Sequence, residues 1–275
     1  MRCATSSCSH GEALGCMRSQ RAAALAEMGG KLLLFTVACE YIVCVLRQLF
    51  QVFSRRLPSR CAVCHAWPTQ PVCSACVTAF AQPQLRCPTC AITVSAGMQQ
   101  CGSCILTPPP LDACLAALPY AYPWADLIAR FKFRQDPGWA TSFALLLRAT
   151  PWVEPALESA DWLLPMPLST QRLRQRGYNQ AHELACALDA AKVGHGLLLR
   201  IRDTPPQRSL SRSERMHNVK NAYAVDPLRS GELKGKRVVL LDDVMTTGAS
   251  LYAAALALRE AGAAHITGLV LARTE

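Results

Sequence analysis

The chain has 275 residues and is 51% apolar, so wholesale disorder is excluded and about two domains of ~100–200 residues each are expected. Lys and Arg outnumber Asp and Glu by 29 to 19, a formal net charge of +10, which favours an anionic partner such as phosphate, nucleic acid or a membrane surface. The 15 cysteines, many in CxxC pairs, do not fit a small secreted disulfide scaffold. They suit a metal in a reducing compartment, hence a cytoplasmic protein.

Residues 1–30 lack a consistent periodicity, and 1–41 are expected to be a disordered tail or the product of an early start codon, with Met17 or Met28 as later starts. The stretch Leu32–Phe50 is interrupted by Glu40 and Arg47, and a membrane helix needs ~20 mostly apolar residues; no span is expected. Ile42, Val45, Leu46, Leu49 and Phe53 recur at helical spacing, so 42–57 reads as an amphipathic helix.

Residues 58–107 carry four CxxC pairs in order: Cys61/Cys64, Cys73/Cys76, Cys87/Cys90 and Cys101/Cys104. A CxxC turn aims two sulfurs at one point, and two such knuckles close the tetrahedral four-thiolate site that structural Zn²⁺ prefers. Eight ligands make two Zn²⁺ sites, a double zinc ribbon. Pairing first with second and third with fourth is simplest, and an interleaved arrangement stays open. His65 beside Cys64 is a spare ligand that eight thiolates make unnecessary, while Cys114 and Cys186 fall in apolar segments and read as small buried hydrophobes.

Pro108–Pro110 forms a stiff boundary. The segment 108–159, with FKFRQDPGWA and a helical run Thr141–Arg148, reads as a connecting, hood-like element in which Lys132 and Arg134 offer anion contacts.

From about Ala160 to residue 275, short apolar strands alternate with helices: WLLPMPL, AHELACALDAA, LLLRI, RVVLLD, SLYAAALALREAGA and ITGLVLA. This alternation predicts an α/β domain with a mostly parallel sheet and flanking helices, its ligand at the C-terminal ends of the strands. Val238–Leu241 is a continuous apolar run expected to be a buried parallel strand ending in Asp242-Asp243. The chain then turns through Thr246, Thr247, Gly248, Ala249 and Ser250 into a helix with an apolar face at Leu251, Ala255 and Leu258. Such a turn offers backbone N–H groups and hydroxyls to an anion at a helix start, and two carboxylates just upstream can accept hydrogen bonds from a vicinal diol and hold hydrated Mg²⁺. Phosphate on one side and diol acceptors on the other describe a ribose 5-phosphate.

The run VVLLDDVMTTGAS resembles the phosphoribosyl-pyrophosphate (PRPP) motif of type I phosphoribosyltransferases at every position, and it lacks the Gly-Lys-Ser/Thr of an NTPase P-loop. PMPLSTQRLRQRGYNQAHELA (Pro165–Ala185) stands where those enzymes carry a pyrophosphate loop, and QRSLSRSERMHNVKNAY (Gln207–Tyr223) where they carry a mobile loop. With the double CxxC–CxxC module ahead of them, the whole resembles the ComF family. The resemblance implies a PRPP-binding protein, with Asp242 and Asp243 on the ribose hydroxyls and Thr246–Ser250 on the 5-phosphate. Arg172, Arg176 and Arg215 would then stand on Mg²⁺-bound pyrophosphate. It also implies an association with natural competence and imported DNA. A phosphoribosyl transfer to an acceptor that the sequence does not identify is one expectation. The other is a non-catalytic PRPP sensor, or a module binding single-stranded DNA and a DNA-uptake helicase. Residues 166–220 carry a local net charge of +6, which suits an arginine-rich loop facing phosphoryl groups.

Overall fold

The computed structural model describes residues 59–67, 70–134, 136–202 and 221–275, all within one unit, Ser59–Glu275. The helix expected at 42–57, the Leu32–Phe50 stretch, and Arg215 with the rest of the loop up to 220 lie outside the described residues. Among the described residues no helix is long and apolar enough to cross a membrane.

A four-stranded parallel sheet is built from β1 (Ala113–Pro119), β2 (Trp162–Pro165), β5 (Arg237–Met245) and β6 (His265–Arg273), in the order β1-β6-β5-β2. Because successive strand residues face opposite sides, the sheet feeds two cores. Val238, Leu240, Ile266 and Val270 pack on one side with Leu251, Ala255 and Leu258 of α8 (Ala249–Glu260). Val239, Leu241, Leu269 and Leu271 pack on the other. There they meet α3 (Trp124–Phe133), α4 (Trp139–Arg148), α5 (Val153–Ser159) and α7 (Gln180–Asp189). Each such Val or Leu taken fully from water contributes about 1.5–3 kcal/mol. This is the parallel sheet with flanking helices that the strand–helix alternation predicts.

Three local expectations change. The run LLLRI does not join the main sheet: β3 (Leu198–Arg200) pairs antiparallel with β4 (Tyr223–Val225) as a separate two-stranded ribbon. Strand β5 does not stop at the carboxylates but continues to Met245, because β6 runs alongside it and pairs Asp242 with Val270 and Met245 with Arg273. The segment 108–159 supplies the edge strand β1 as well as three helices. The alanine-rich sequence of β1, ACLAALP, carries little strand propensity; pairing with β6 and alternate burial hold it.

The cysteine module packs α1 (Ser74–Phe80) and α2 (Gly102–Leu106) beside its knuckles, with Cys73 and Cys101 as their N-cap residues. Its halves join different cores. Cys61 and Cys76 lie with Trp124 and Phe131, whereas Cys87, Cys90 and Cys104 lie with Leu111 and Cys114. Trp124 Nε1 donates to Phe80 O at 2.8 Å, fastening the first half to α3.

Candidate functional site

Two four-cysteine centres are assembled, Cys61/Cys64/Cys73/Cys76 and Cys87/Cys90/Cys101/Cys104, with the four sulfurs of each within 4.8 Å of one another. The pairing is therefore first with second and third with fourth. Sulfur separations of 3.8 Å (Cys61–Cys76), 3.6 Å (Cys64–Cys73) and 3.6 Å (Cys90–Cys101) are far too long for a disulfide. They match the ~3.8 Å edge of a tetrahedron with 2.3 Å zinc–sulfur bonds. Backbone N–H groups of Cys73 and Cys101 point at Cys61 Sγ (3.4 Å) and Cys87 Sγ (3.5 Å). Burial would raise both thiols, but these and neighbouring N–H donors outweigh it and bring Cys61 and Cys87 down to about 6. The donor set thus fits Zn²⁺ held as a closed structural site. Cys114 is buried as expected, while Cys186 is only half-buried and lies 3.8 Å from the His182 ring nitrogens.

A polar cavity of about 160 Å³ opens at the C-terminal ends of β2 and β5. Its walls include Lys132, Arg172, Arg176, Arg200, Tyr223, both aspartates and the whole of Thr246–Ser250. A larger groove of about 690 Å³, lined by residues such as Ala116, Leu118, Leu146 and Ala156, is mainly apolar and gathers no comparable set of charges.

The Thr246–Ser250 turn is shaped by its glycine. Gly248 has φ +83°, and a Cβ there would stand 2.5 Å from Met245 Cε and 2.5 Å from Tyr252 Cζ. Any side chain would therefore be strained and would collide. Thr247 Oγ1 accepts from Ala249 N at 3.4 Å, and α8 starts directly behind, its first N–H groups directed toward the turn.

The two carboxylates are not equivalent. Asp243 is 8% exposed, shares the strand parity of Val239 and Leu241, and meets Lys132 Nζ at 2.9 Å. Asp242 has the parity of Leu240, and its Oδ1 accepts the Asp243 N–H at 2.8 Å. Burial, and then the charge of Asp243, push its carboxyl up to about 7, against the pull of Lys132 and Arg176. Lys132, read from the sequence as an anion contact, is thus already engaged with a carboxylate.

The opposite wall is cationic. Helix α6 (Thr170–Arg176) is capped by Ser169, whose Oγ accepts from Arg172 N at 3.3 Å. It ends at Gly177 with φ +79°, and Asn179 then caps α7 while its Nδ2 donates to Met166 O at 3.0 Å. This start–stop–start places Arg172 and Arg176 over the cavity. Arg176 bonds Gln180 Oε1 at 2.7 Å and lies 5.3 Å over the Phe133 ring. Burial, and then the charges of Arg200 and Arg176, depress the Arg172 guanidinium; cations crowded this closely favour an anion between them.

Arg200, in the LLLRI run, and Tyr223, at the end of the Gln207–Tyr223 stretch, carry no site expectation from the sequence, yet the β3–β4 ribbon brings both to the same cavity. Arg200 Nη1 lies 3.2 Å from Tyr223 Oη, with its guanidinium 5.5 Å from the ring centre. No sequence signal separates these two from ordinary strand residues. Arg134 is not among the cavity residues; it lines a different pocket beside Ala62 and Tyr122.

Comparison with known proteins agrees with this architecture. Residues 175–274 match the phosphoribosyl transferase domain family. The chain is 30% identical over 214 residues to the DNA utilization protein YhgH of Salmonella typhimurium, covering 74% of this chain and 90% of that one. It is 33% identical to competence protein F of Haemophilus influenzae over the same shares. It is also 32% identical over 150 residues to competence protein ComFC of Bacillus subtilis, covering 54% and 59%. With the phosphoribosyltransferase-like sheet and the paired four-cysteine centres ahead of it, the chain belongs to the ComF family.

Proposed function

We propose that this chain binds PRPP in the cavity between Asp242/Asp243, the Thr246–Ser250 turn and the arginine wall, and that it serves DNA utilization or competence, as the names of its relatives suggest. The observation that carries the reading is the placement of three different chemistries around one small cavity. The glycine-shaped turn suits a 5-phosphate, Asp242 and Asp243 a vicinal diol, and Arg172, Arg176 and Arg200 a diphosphate. Arg215, outside the described residues, is proposed for the diphosphate as well.

In a transfer reaction the bond from the anomeric carbon to the pyrophosphate oxygen breaks, the diphosphate leaving with the electron pair, and the acceptor bonds to that carbon; positive charge develops on the ribose between the two events. Burial, and then the charge of Asp243, make Asp242 resist ionisation, and the cations around the diphosphate site favour its carboxylate form. That carboxylate stabilises the developing charge, while the arginines hold the departing diphosphate. Asp242 and Asp243 would hold Mg²⁺ nearby, and it would supply charge neutralisation to the leaving group. The two four-cysteine centres would hold Zn²⁺ and brace the fold.

A second reading is PRPP sensing without transfer. One observation favours it: among the described residues lining the cavity, the carboxylates able to take a proton from an acceptor are Asp242 and Asp243, and both are assigned to the ribose. The contacts expected with single-stranded DNA and a DNA-uptake helicase belong to this reading, as does a cytoplasmic site of action. Pyrophosphate release from PRPP, assayed with a panel of nucleobases, separates the two. Release abolished by Asp242→Ala establishes transfer, and PRPP binding without release establishes sensing. Binding to single-stranded DNA through arginines would weaken steeply with salt, and a flat salt response would remove that contact.

A further inference from the structure

Arg273, the last residue of β6, is 6% exposed. Its guanidinium donates to carbonyl oxygens: Nε to Cys90 O at 3.0 Å, and Nη1 to Met245 O at 3.3 Å, to Thr274 O at 2.6 Å and to Thr246 O. Among the described residues it forms no ion pair with a carboxylate. A buried cation in this position is costly unless negative charge lies nearby. The residue whose carbonyl it grips, Cys90, belongs to the second four-cysteine centre. Four thiolates around one Zn²⁺ would carry a net charge of two minus and would supply that counter-charge. On its other side the same guanidinium holds the carbonyls of Met245 and Thr246, where β5 turns toward the phosphate.

Neighbouring contacts run the same way. Thr274 N donates to Met245 O at 3.1 Å, Thr93 Oγ1 to Glu275 Oε1 at 2.7 Å, and Cys114 N to Pro88 O at 2.6 Å. The tail of β6 is therefore tied both to the second cysteine centre and to the start of the phosphate turn. The first centre is fastened elsewhere, through Phe80 O to Trp124 on α3.

We propose that Arg273 is a positioning residue through which the second metal centre, Cys87/Cys90/Cys101/Cys104, holds the phosphate turn in its binding shape. The inference rests on the reading of that turn as a phosphate site. It makes the two cysteine centres functionally unequal although their ligands are chemically identical. Metal in the second centre fixes Cys90, Arg273 transmits that to Met245 and Thr246, and the turn keeps its N–H groups aimed at the ligand.

The test compares wild type with Arg273→Gln, Arg273→Lys, Cys101→Ala and Cys64→Ala in the full chain. Zinc content, zinc release to a chelating dye, thermal melting, and PRPP affinity in Mg²⁺ are measured for each. Arg273→Gln should speed release of one of the two zinc ions at least fivefold and weaken PRPP binding at least tenfold. Arg273→Lys keeps the charge but cannot reach the carbonyls of Cys90 and of the turn at once, so it should retain both metals and still weaken PRPP binding at least threefold. Cys101→Ala should weaken PRPP binding at least tenfold, and Cys64→Ala less than threefold. Arg273→Lys also covers the case in which Cys101→Ala does not fold. Wild-type binding with unchanged Arg273→Gln affinity and zinc release, or equal losses in the two cysteine variants, overturns the inference alone. A wild-type chain that does not bind PRPP overturns the phosphate reading and the inference with it.

Discussion

Lys132 Nζ stands 2.9 Å from Asp243 Oδ1, with the two side chains only 14% and 11% exposed. The pair joins the last turn of α3 to the end of β5, so a residue well outside the phosphoribosyl transferase match sits against the signature acid pair. Its neighbours are fastened too: Phe131 O accepts from Tyr178 Oη, and Phe133 lies under Arg176. Of FKF, Lys132 lines the cavity and Phe133 lies under an arginine that lines it, while Phe131 is tied to Tyr178, outside the lining. Replacing Lys132 with Met leaves Asp243 as an uncompensated, nearly buried charge. We expect a loss of about 3–5 kcal/mol in stability and at least tenfold weaker PRPP binding, with Lys132→Arg recovering part of both. Chemical denaturation and calorimetric titration measure the two effects, and a Lys132→Met chain as stable as wild type would contradict the pairing.

Asp242 should give the empty protein an unusual pH response. Its carboxyl rises from 3.8 to about 7 on folding, through burial and then Asp243. The native state therefore binds more protons than the unfolded chain between those values, and stability falls as pH rises through that window. The full cost is present above about pH 7 and is on the order of a few kcal/mol. Asp242→Asn should remove it, so the variant is expected to melt higher than wild type at pH 8 and no higher at pH 4, while losing PRPP affinity. Melting curves across pH check this, and parallel profiles for the two proteins would count against the shift.

Gly248→Ala tests the turn. Left-handed backbone costs a non-glycine residue roughly 1–2 kcal/mol, and the new methyl would press on Met245 and the Tyr252 ring. We expect the variant to fold with reduced stability and to bind PRPP at least tenfold more weakly. Affinity at the wild-type level would show that this turn does not grip the ligand.

Metal analysis tests the cysteine module. Purified protein should hold two zinc ions per chain, and their removal should lower the melting temperature, because each centre belongs to one of the two cores. Iron, or no metal with unchanged melting, would refute the assignment.

How much of this could be read from the sequence depends on how local the signal is. The CxxC pairs are local, and their first-with-second pairing followed the simplest reading. The run from Val238 to Ser250 announces strand, turn and helix within thirteen residues. Arg172 and Arg176 reach the cavity because Ser169, Gly177 and Asn179 punctuate the helices around them. What escaped was set by tertiary pairing. Strand β1 has an alanine-rich sequence that only β6 makes into a strand. Arg200 and Tyr223 come together through an antiparallel ribbon whose strands are three residues each. Lys132 reads locally as an anion contact, and only the fold reveals its partner as Asp243, 111 positions away. Nothing in the sequence near Arg273 records that β6 ends between the second cysteine centre and the Thr246–Ser250 turn.

The most direct measurement is a calorimetric titration of PRPP in Mg²⁺ into the zinc-loaded chain, alongside Asp242→Asn and Gly248→Ala. The account predicts one saturable site per chain in wild type, weakened at least tenfold in both variants. No saturable binding in wild type, or equal binding in all three, would contradict it.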